Sequence, residues 1–395
     1  MRKPQVLFIT GHLPYPPISG GRRRELELLT RLAPDHDLHV LAISKTFAED
    51  SENASALSTL ARVDVVPALP PPERIGGRRP WQVMRHRSPR AAALVAASSA
   101  DVVHIEGFYL MQHLPARSTA PVLLVEQNVE YALWRQRARQ SGTPAAWAEY
   151  RLTRRWEEAA WQAASRCAAV TEDDRRVMER TLGRGSVAVI PDGVDLPPAS
   201  YVRSPPGLER DGRELVVFVG NFAYEPNVDA ALHLARDIFP RVAASRPDAR
   251  LLLVGNAPPE AVRALASDTV TVTGRVPDVR PFLSAATVVV CPLRIGGGVK
   301  LKMLEALCMR KAIVSTGVGL QGLGPGAAGA VARADDAVQF ATAVERVLGD
   351  PAERQRLEAA AGALAARLPT WNEAAELLAA EYEELSGGRS ADLPA

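Results

Sequence analysis

The sequence predicts an α/β protein made of two doubly wound parallel-sheet domains, Rossmann-like in topology, that face each other across a cleft. Short, nearly continuous apolar runs alternate with helical segments, which is typical of parallel strands buried on both faces. The chain has 395 residues, too many for one ordinary core, so two domains are expected. Ligands of such sheets bind outside the carboxyl ends of the strands, and the cleft is therefore the expected site.

Thirteen apolar runs are predicted to be strands. Seven lie in the first half of the chain and six in the second: 6–10, 38–44, 63–68, 101–106, 121–126, 167–170, 186–191, 214–220, 249–255, 269–274, 287–293, 312–316 and 329–333. Residues 196–213, between the two sets, are rich in proline and polar residues and are predicted to be a linker. The predicted domains are therefore residues 1–195 and 214–368.

The C-terminal part of the chain has a helical pattern. Asp335 and Asp336 are expected to cap one helix, and residues 351–368 to form a second. Thr370 is expected to open the third helix, within a final segment of residues 369–395 that ends in a frayed tail.

The composition excludes several classes of protein. A net charge of +2 gives no electrostatic basis for a nucleic-acid partner. Cys167, Cys291 and Cys308 are odd in number and widely spaced, so we expect a reducing compartment with neither disulfides nor structural zinc. The N-terminus is too short in apolar residues for a signal peptide, and no run reaches the roughly 18 residues of a membrane span. A cytoplasmic location is expected.

A glycine loop followed by lysines is the most informative motif. Residues 294–316 read RIGGGVKLKMLEALCMRKAIVST, and three of the five lysines in the chain, Lys300, Lys302 and Lys311, lie there. The order strand, glycine loop, helix start is that of an anion site, because backbone N–H groups and the helix dipole favour negative charge. Lysines in the first turn of a helix are unfavourable, because the helix dipole makes that end positive. A bound phosphate would supply the negative charge that makes them favourable.

The alternative interpretation of this motif is a loop that tolerates glycine and binds no ligand, followed by a solvated ion pair between Lys302 and Glu305. These two residues lie three positions apart on one helix face. The motif is neither a Walker loop nor a dinucleotide fingerprint, since no GxxxxGK[ST] and no GxGxxG after a strand occur. We favour the phosphate interpretation because the loop, the helix start and the lysine cluster agree.

Several motifs together resemble glycosyltransferase family 4, which includes glycogen-synthase-like, polysaccharide and secondary-metabolite glycosyltransferases. They are VLFITGHLPYPPISGGRRRE, VIPDGVD, GNFAYEPNVDAALHLARDIFP and TVTGRVPDVRPFLSAATVVVCPLRIGGGVKLKMLEAL. The resemblance implies a GT-B fold, with an acceptor-binding first domain and a second domain that binds a nucleotide-sugar donor. It also implies that the final helix returns to the first domain.

The resemblance implies a set of donor-binding residues. Glu305 would hold the ribose hydroxyls, and Lys302 with Lys300 would hold the diphosphate. The nucleotide base would lie near Arg275 and Val276. Near the first strand, Gly20 and Gly21 would form the loop that approaches the transferred sugar and phosphate, with Arg24 after them.

The sequence departs from the family pattern at two of these positions. Gly297 stands where the family has the first of its paired glutamates, so backbone amides of Gly296–Gly298 would contact the sugar instead. The basic pair that often follows FVG is replaced by NFAYEPN, which leaves Asn221. Lys300, Lys302 and Arg294 would then supply more of the charge that the diphosphate needs.

The acceptor side has weaker signals. His104 and Glu106 end a predicted strand near the mouth of the cleft, and relatives often carry a second histidine where this chain has Glu106. Glu126, Asn128 and Glu130 follow the next strand, and either acid could deprotonate or orient an acceptor hydroxyl. The alternatives are a histidine satisfied by a neighbour and acids that cap a helix or lie in solvent.

Residues 71–90 contain six arginines and one acid, and tryptophans follow at 134, 147, 156 and 161. A basic segment with interfacial aromatic residues can dock on an anionic membrane. A solvated loop over a core-packed helix, or contact with a phosphorylated acceptor, fits the same residues.

The expected activity is metal-independent transfer of a hexosyl or N-acetylhexosaminyl group from a nucleotide sugar to a hydroxyl, with retention implied by the family. The acceptor would be a glycan, a lipid-linked saccharide or a secondary metabolite. His104, Glu106 and Lys302 are the candidate catalytic residues. The alternatives are a nucleotide-sugar epimerase or phosphorylase on the same fold, and a two-lobed protein that binds a ligand without chemistry.

Overall fold

The computed structural model describes residues 2–71, 77–116, 120–183, 187–195 and 214–387. The chain divides into two compact units, Met1–Gly193 with Pro369–Ala395, and Val194–Leu368. The predicted linker 196–213 and the tail beyond Gly387 lie outside the described residues.

Each unit contains one parallel sheet, and each strand overlaps one of the predicted apolar runs. The strands of the first sheet are β1 (Gln5–Thr10), β2 (Asp37–Ser44), β3 (Arg62–Pro67), β4 (Val102–Glu106), β5 (Val122–Glu126), β6 (Arg166–Ala169) and β7 (Val187–Val189). Those of the second are β8 (Glu214–Val219), β9 (Ala249–Val254), β10 (Val270–Gly274), β11 (Val288–Cys291), β12 (Ile313–Ser315) and β13 (Ala332–Arg333). The orders are β3-β2-β1-β4-β5-β6-β7 and β10-β9-β8-β11-β12-β13. Both are doubly wound, so the predicted α/β fold class is confirmed for each unit.

Helices flank both sheets. The first unit has α1 (Gly20–Leu32), α2 (Phe47–Asn53), α3 (Trp81–Met84), α4 (Pro89–Ala96), α5 (Glu130–Ser141), α6 (Pro144–Ala163) and α7 (Glu172–Leu182). The second has α8 (Glu225–His233), α9 (Phe239–Ser245), α10 (Glu260–Arg263), α11 (Arg280–Ala285), α12 (Leu301–Cys308), α13 (Ala327–Ala330), α14 (Ala337–Gly349) and α15 (Pro351–Ala365). The last helix is α16 (Trp371–Gly387). Short 3₁₀ turns occur at Ala54–Leu57 and Phe108–His113, and a π turn at Leu234–Ile238 joins α8 to α9. No helix in the described ranges has the length and apolar character needed to cross a membrane.

The last helix packs on the first unit, against α1 and β4. Thr370 and Glu373 form a capping box: the Thr370 hydroxyl accepts the N–H of Glu373, and the Glu373 carboxylate accepts the N–H of Thr370. A buried stripe of Trp371, Leu378 and Tyr382 faces inward. A Cβ at Gly193 would lie 2.3 Å from the backbone nitrogen of Trp371, so a glycine permits this close approach.

One helix cap differs from the expectation. Asp336 accepts the N–H groups of Val338 and Gln339 and caps α14, as predicted. Asp335 does not cap this helix: it accepts the N–H of Gly317 at 2.7 Å and pairs with Arg333. The turn after β13 directs its side chain back toward the loop that follows β12.

Candidate functional site

The glycine loop of the second unit joins β11 to α12. Gly298 has a φ of +58°, in the left-handed region where side chains are strained. Lys300 is buried, and its Nζ donates to the carbonyl oxygen of Gly298 at 2.8 Å and to Oε1 of Gln321 at 3.2 Å. The Lys300 ammonium therefore stabilises the shape of the loop.

Lys302 lies in the first turn of α12 and is half-buried. Its Nζ donates to Oδ1 of Asn227 at 2.6 Å and lies 4.5 Å from the centre of the Phe218 ring. Burial lowers the pKa of Lys302 to about 8, although Cys291 and Glu305 oppose this. An ammonium held in these surroundings is a ready partner for an incoming anion.

Lys302 and Glu305 do not form a close ion pair, although the charge of Glu305 acts on the pKa of Lys302 as the alternative interpretation of this motif implies. Within the described part of the chain, Lys302 makes no ion pair within 4 Å of a carboxylate. Its ammonium instead reaches across to Asn227 on α8. Glu305 lies one turn further along α12 and is half-buried.

The remaining donor-side candidates have different surroundings. Oδ1 of Asn221 accepts the N–H of Ala223 at 3.1 Å, and its carbonyl oxygen accepts from Asn227 at 2.8 Å. Arg294 forms a salt bridge with Asp229, in which Nε lies 2.9 Å from Oδ2. Asn227 thus connects the loop after β8 to Lys302, and Arg294 already has a carboxylate partner.

The predicted base contact lies directly after β10. Gly274 has a φ of +68°, which turns the chain sharply at the end of the strand. Arg275 is exposed, and Val276 is half-buried against the core of the second unit. An exposed backbone next to an apolar side chain is suited to contact with a planar ring.

In the first unit, the glycine pair opens α1. The Ser19 hydroxyl caps the helix by accepting the N–H of Arg22. A Cβ at Gly21 would lie 2.9 Å from Oε1 of Gln127, so a larger side chain there would displace the end of the Gln127 side chain. Arg24 is buried and donates to Oδ1 of Asp192 at 2.8 Å and to the carbonyl oxygen of Ile190 at 2.7 Å. The structure thus uses Arg24, a donor-binding candidate, to hold the segment after β7.

His104 and Glu106, expected near an open mouth, are both buried, because α16 covers this face of the first sheet. Nε2 of His104 lies 2.9 Å from Oε1 of Glu106, and its Nδ1 lies 2.8 Å from the hydroxyl of Tyr382. The His104 ring stacks on Phe8 of the neighbouring strand, with ring centres 4.1 Å apart. Burial alone would raise the pKa of Glu106, but the hydrogen bond and charge of His104, with contributions from Arg24, lower it below its ordinary value.

Glu126, at the end of β5, and Asn128 and Glu130 after it have different surroundings. Glu126 is buried, and its Oε1 accepts from the N–H of Phe108 and from the indole of Trp161 at 3.1 and 3.0 Å. Burial raises the pKa of Glu126 well above its ordinary value. Glu130 is the first residue of α5, and burial raises its pKa too. Asn128 lies half-buried between them. The hydrogen bonds of Glu126 hold it in the core of the first unit, and Oε2 of Glu130 accepts from Nε2 of Gln82 at 3.5 Å.

The arginine-rich segment 71–90 includes residues 72–76, which lie outside the described residues. Trp134 and Trp161 are buried in the first unit, and Trp147 and Trp156 are half-buried. Arg79 lies over the Trp156 ring at 5.8 Å. The tryptophans therefore contribute mainly to packing, as in the core-packed alternative.

Metal-binding geometry is absent from the part of the chain that the structure describes, where no three His, Cys, Asp or Glu side chains converge. The acidic stretch at 171–174 is a helix cap: the Thr171 hydroxyl accepts the N–H of Asp174 at 3.0 Å.

Sequence reasoning missed Asn227, Glu25, Gln127 and Tyr382. Asn227 shares the buried face of α8 with Ala230 and Ala231, and Glu25 shares that of α1 with Leu28, Leu29 and Leu32. Asn227 and Glu25 could have been found in the sequence as polar residues at inward positions of otherwise apolar helix faces. Tyr382 fits its stripe as an ordinary core residue, and nothing in the sequence marks Gln127.

Two family models match the chain. One, described as Glycosyltransferase Family 4, matches residues 18–197, and the other, described as Glycosyl transferases group 1, matches residues 213–350. The chain belongs to glycosyltransferase family 4.

Relatives agree with membership of family 4. A phosphatidyl-myo-inositol mannosyltransferase from Mycolicibacterium smegmatis is 30% identical over 228 residues, which are 55% of this chain and 57% of that protein. The chain thus spans little more than half the length of this curated relative. Sucrose-phosphate synthase from Thermosynechococcus elongatus has a similar structure, with a TM-score of 0.71 at 18% identity over 98% of this chain and all of that one. Anabaena HepE in complex with UDP and glucose has a TM-score of 0.67 at 15% identity, over 95% and 98% of the two chains. These neighbours show the GT-B fold.

Proposed function

We propose that this protein is a glycosyltransferase that moves a sugar from a nucleotide-sugar donor to an acceptor hydroxyl with retention of anomeric configuration. The observation that carries the proposal is Lys302, a half-buried ammonium in the first turn of α12, directly after a glycine loop. Burial lowers its pKa to about 8, and its only hydrogen-bond partner in the described residues is the neutral side chain of Asn227. Family membership and a UDP-bound structural neighbour support the same donor class.

The donor site is proposed to lie at the carboxyl edge of the second sheet. Lys302 would contact the diphosphate, and the amides of Gly296–Gly298 would contact the sugar or phosphate. Glu305, one turn along α12, would hold the ribose, and the backbone at Arg275 and Val276 would contact the base. Lys300 would act indirectly by maintaining the loop, and Arg294 would do so through Asp229.

The proposed chemistry is electrostatic. Negative charge grows on the leaving diphosphate as the glycosidic bond breaks, and a preorganised ammonium, loop amides and a helix N-terminus stabilise that charge. Contact with the diphosphate would raise the pKa of Lys302, so the charged form is favoured at the moment when charge develops. These groups would do the work without a metal ion.

The test is a survey of nucleotide sugars with glycan, lipid-linked and small-molecule acceptors, in which proton NMR records the anomeric configuration of the product. Transfer with retention supports the proposal. Inverted product would refute retention, C2 epimerisation of the donor would indicate an epimerase, and donor binding without turnover would indicate a binding protein. The sugar type, hexosyl or N-acetylhexosaminyl, and a cytoplasmic or membrane-peripheral location belong to the same proposal.

A further inference from the structure

A continuous hydrogen-bond chain crosses the first unit from its last helix to its first. It begins at the hydroxyl of Tyr382 on α16, 2.8 Å from Nδ1 of His104. Nε2 of His104 lies 2.9 Å from Oε1 of Glu106, whose Oε2 accepts from Nε2 of Gln127 at 3.0 Å. The same Gln127 nitrogen also donates to Oε1 of Glu25 on α1, at 3.3 Å.

Physical chemistry gives this chain a direction. Burial and the charge of Glu106 raise the pKa of Tyr382 well above its ordinary value, so its hydroxyl keeps its proton and shares one hydrogen bond with Nδ1 of His104. Nε2 of His104 carries the proton of the hydrogen bond to Glu106, because a carboxylate can only accept. The lowered pKa of Glu106 makes it an acceptor at both oxygens. The other titratable groups near Glu106, among the described residues, are the guanidinium of Arg24, the carboxyl groups of Glu126 and Asp192, and the phenol of Tyr109.

Gln127, which links Glu106 to Glu25 in this chain, is half-buried. Its amide NH₂ group donates to two carboxylates, those of Glu106 and Glu25, and this fixes which way the carboxamide points. The carbonyl oxygen Oε1 is left facing the first turn of α1, 2.9 Å from the place where a Cβ of Gly21 would be. Oε1 makes no hydrogen bond within the described residues. As a carbonyl oxygen it can act as an acceptor but not as a donor.

We propose that Gln127 accepts a hydrogen bond from a substrate hydroxyl beside Gly21, and that Tyr382 is the positioning residue that acts on it through His104 and Glu106. This inference rests on the proposed function, because the glycine pair Gly20–Gly21 is where the transferred sugar is expected. In this assignment His104 and Glu106 position Gln127 and do not touch the reacting atoms. It also gives the last helix a role in the site, through one hydroxyl.

The kinetic test compares Tyr382→Phe with Leu378→Val, a packing change on the same buried stripe of α16 that leaves the hydrogen-bond chain intact. We expect Tyr382→Phe to lower kcat about tenfold, the effect of one lost buried hydrogen bond, with KM for the donor changed less than about twofold. Leu378→Val should lower Tm without changing kcat. In a Gln127→Ala background, Tyr382→Phe should cause no further loss, because both changes interrupt one pathway.

An equal kcat loss in Leu378→Val at matched Tm would overturn the proposal, as would a full tenfold effect of Tyr382→Phe in the Gln127→Ala background. A second readout needs no turnover. In protein labelled with ¹⁵N-glutamine, the side-chain NH₂ signal of Gln127, assigned through Gln127→Ala, should shift in Tyr382→Phe and stay unchanged in Leu378→Val. An unchanged signal in both refutes the relay, whereas a shifted signal in a protein that transfers no sugar refutes only the proposed function.

Discussion

Replacing Lys302 by methionine should make the protein more stable and much less active. Methionine keeps an unbranched apolar stem beside the Phe218 ring and removes the ammonium. The pKa of Lys302 falls from 10.5 to about 8, mainly through burial. At about 1.4 kcal/mol per pKa unit, the buried charge costs the ligand-free protein about 3 kcal/mol.

The hydrogen bond to Asn227 offsets about 1 kcal/mol of this cost. Lys302→Met should therefore raise the free energy of unfolding by about 2 kcal/mol at pH 7, and Tm by about 5 °C. A depressed lysine pKa disfavours the protonated form in the folded state, so this gain is complete below pH 8 and disappears as pH rises toward 10.5. Activity should move in the opposite direction: loss of one charged group that stabilises the leaving diphosphate lowers kcat roughly 100- to 1,000-fold.

The assay combines thermal unfolding of the ligand-free protein at pH 7 with steady-state kinetics. Lys311→Met is the matched control, because Lys311 is a buried lysine just beyond the other end of α12 whose Nζ donates to the carbonyl oxygen of Ser284 at 3.1 Å. That variant should lose stability and keep its kcat. A Lys302→Met protein that is destabilised and has kcat like the Lys311→Met control would refute the reasoning.

Three further predictions follow from the proposed function. Glu305→Ala should raise KM for the donor far more than it lowers kcat, since ribose contacts are nearly equal in ground and transition states; an unchanged KM would remove Glu305 from the ribose site. Gly21→Ala should lower turnover at least tenfold, because the new Cβ would lie 2.9 Å from Oε1 of Gln127, whereas Gly329→Ala, which meets nothing within 4 Å, should be neutral; equal rates in the two variants would contradict the first. Turnover should be the same in EDTA as in added magnesium or manganese, and loss of activity on chelation that either ion restores would show a metal requirement.

The strands of this fold could be predicted from the sequence because most are short apolar runs, and the central strands, such as β4 and β5, are buried on both faces of their sheet. The run at 249–255, for example, became β9, with Leu251, Leu252 and Leu253 almost completely buried. Glycine loops were also visible, since Gly298 has a backbone conformation that other residues avoid.

The partners of the polar side chains could not be predicted, because they depend on contacts between residues far apart in the chain. Lys300 and Lys302 look equivalent in sequence, yet one binds its own loop and the other reaches Asn227 on another helix. Arg24 follows the glycine pair that was expected to contact the donor, but its guanidinium donates to Asp192, which lies 168 residues further along the chain. The sequence placed His104 near the end of a strand, but it could not show that Tyr382 of α16 forms a hydrogen bond with its ring.

The central claim, that Lys302 binds the diphosphate of a nucleotide sugar, is tested most directly by calorimetric titration with UDP and other nucleoside diphosphates at pH 7 and pH 9. Repeating each titration in two buffers of different ionisation enthalpy counts the protons taken up on binding. A lysine with a pKa of about 8 is mostly neutral at pH 9 and becomes charged on contact with the anion, so binding should take up close to one proton at pH 9 and little at pH 7. The Lys302→Met protein should bind more weakly and take up none. Equal affinity and equal proton uptake in the two proteins would contradict the claim.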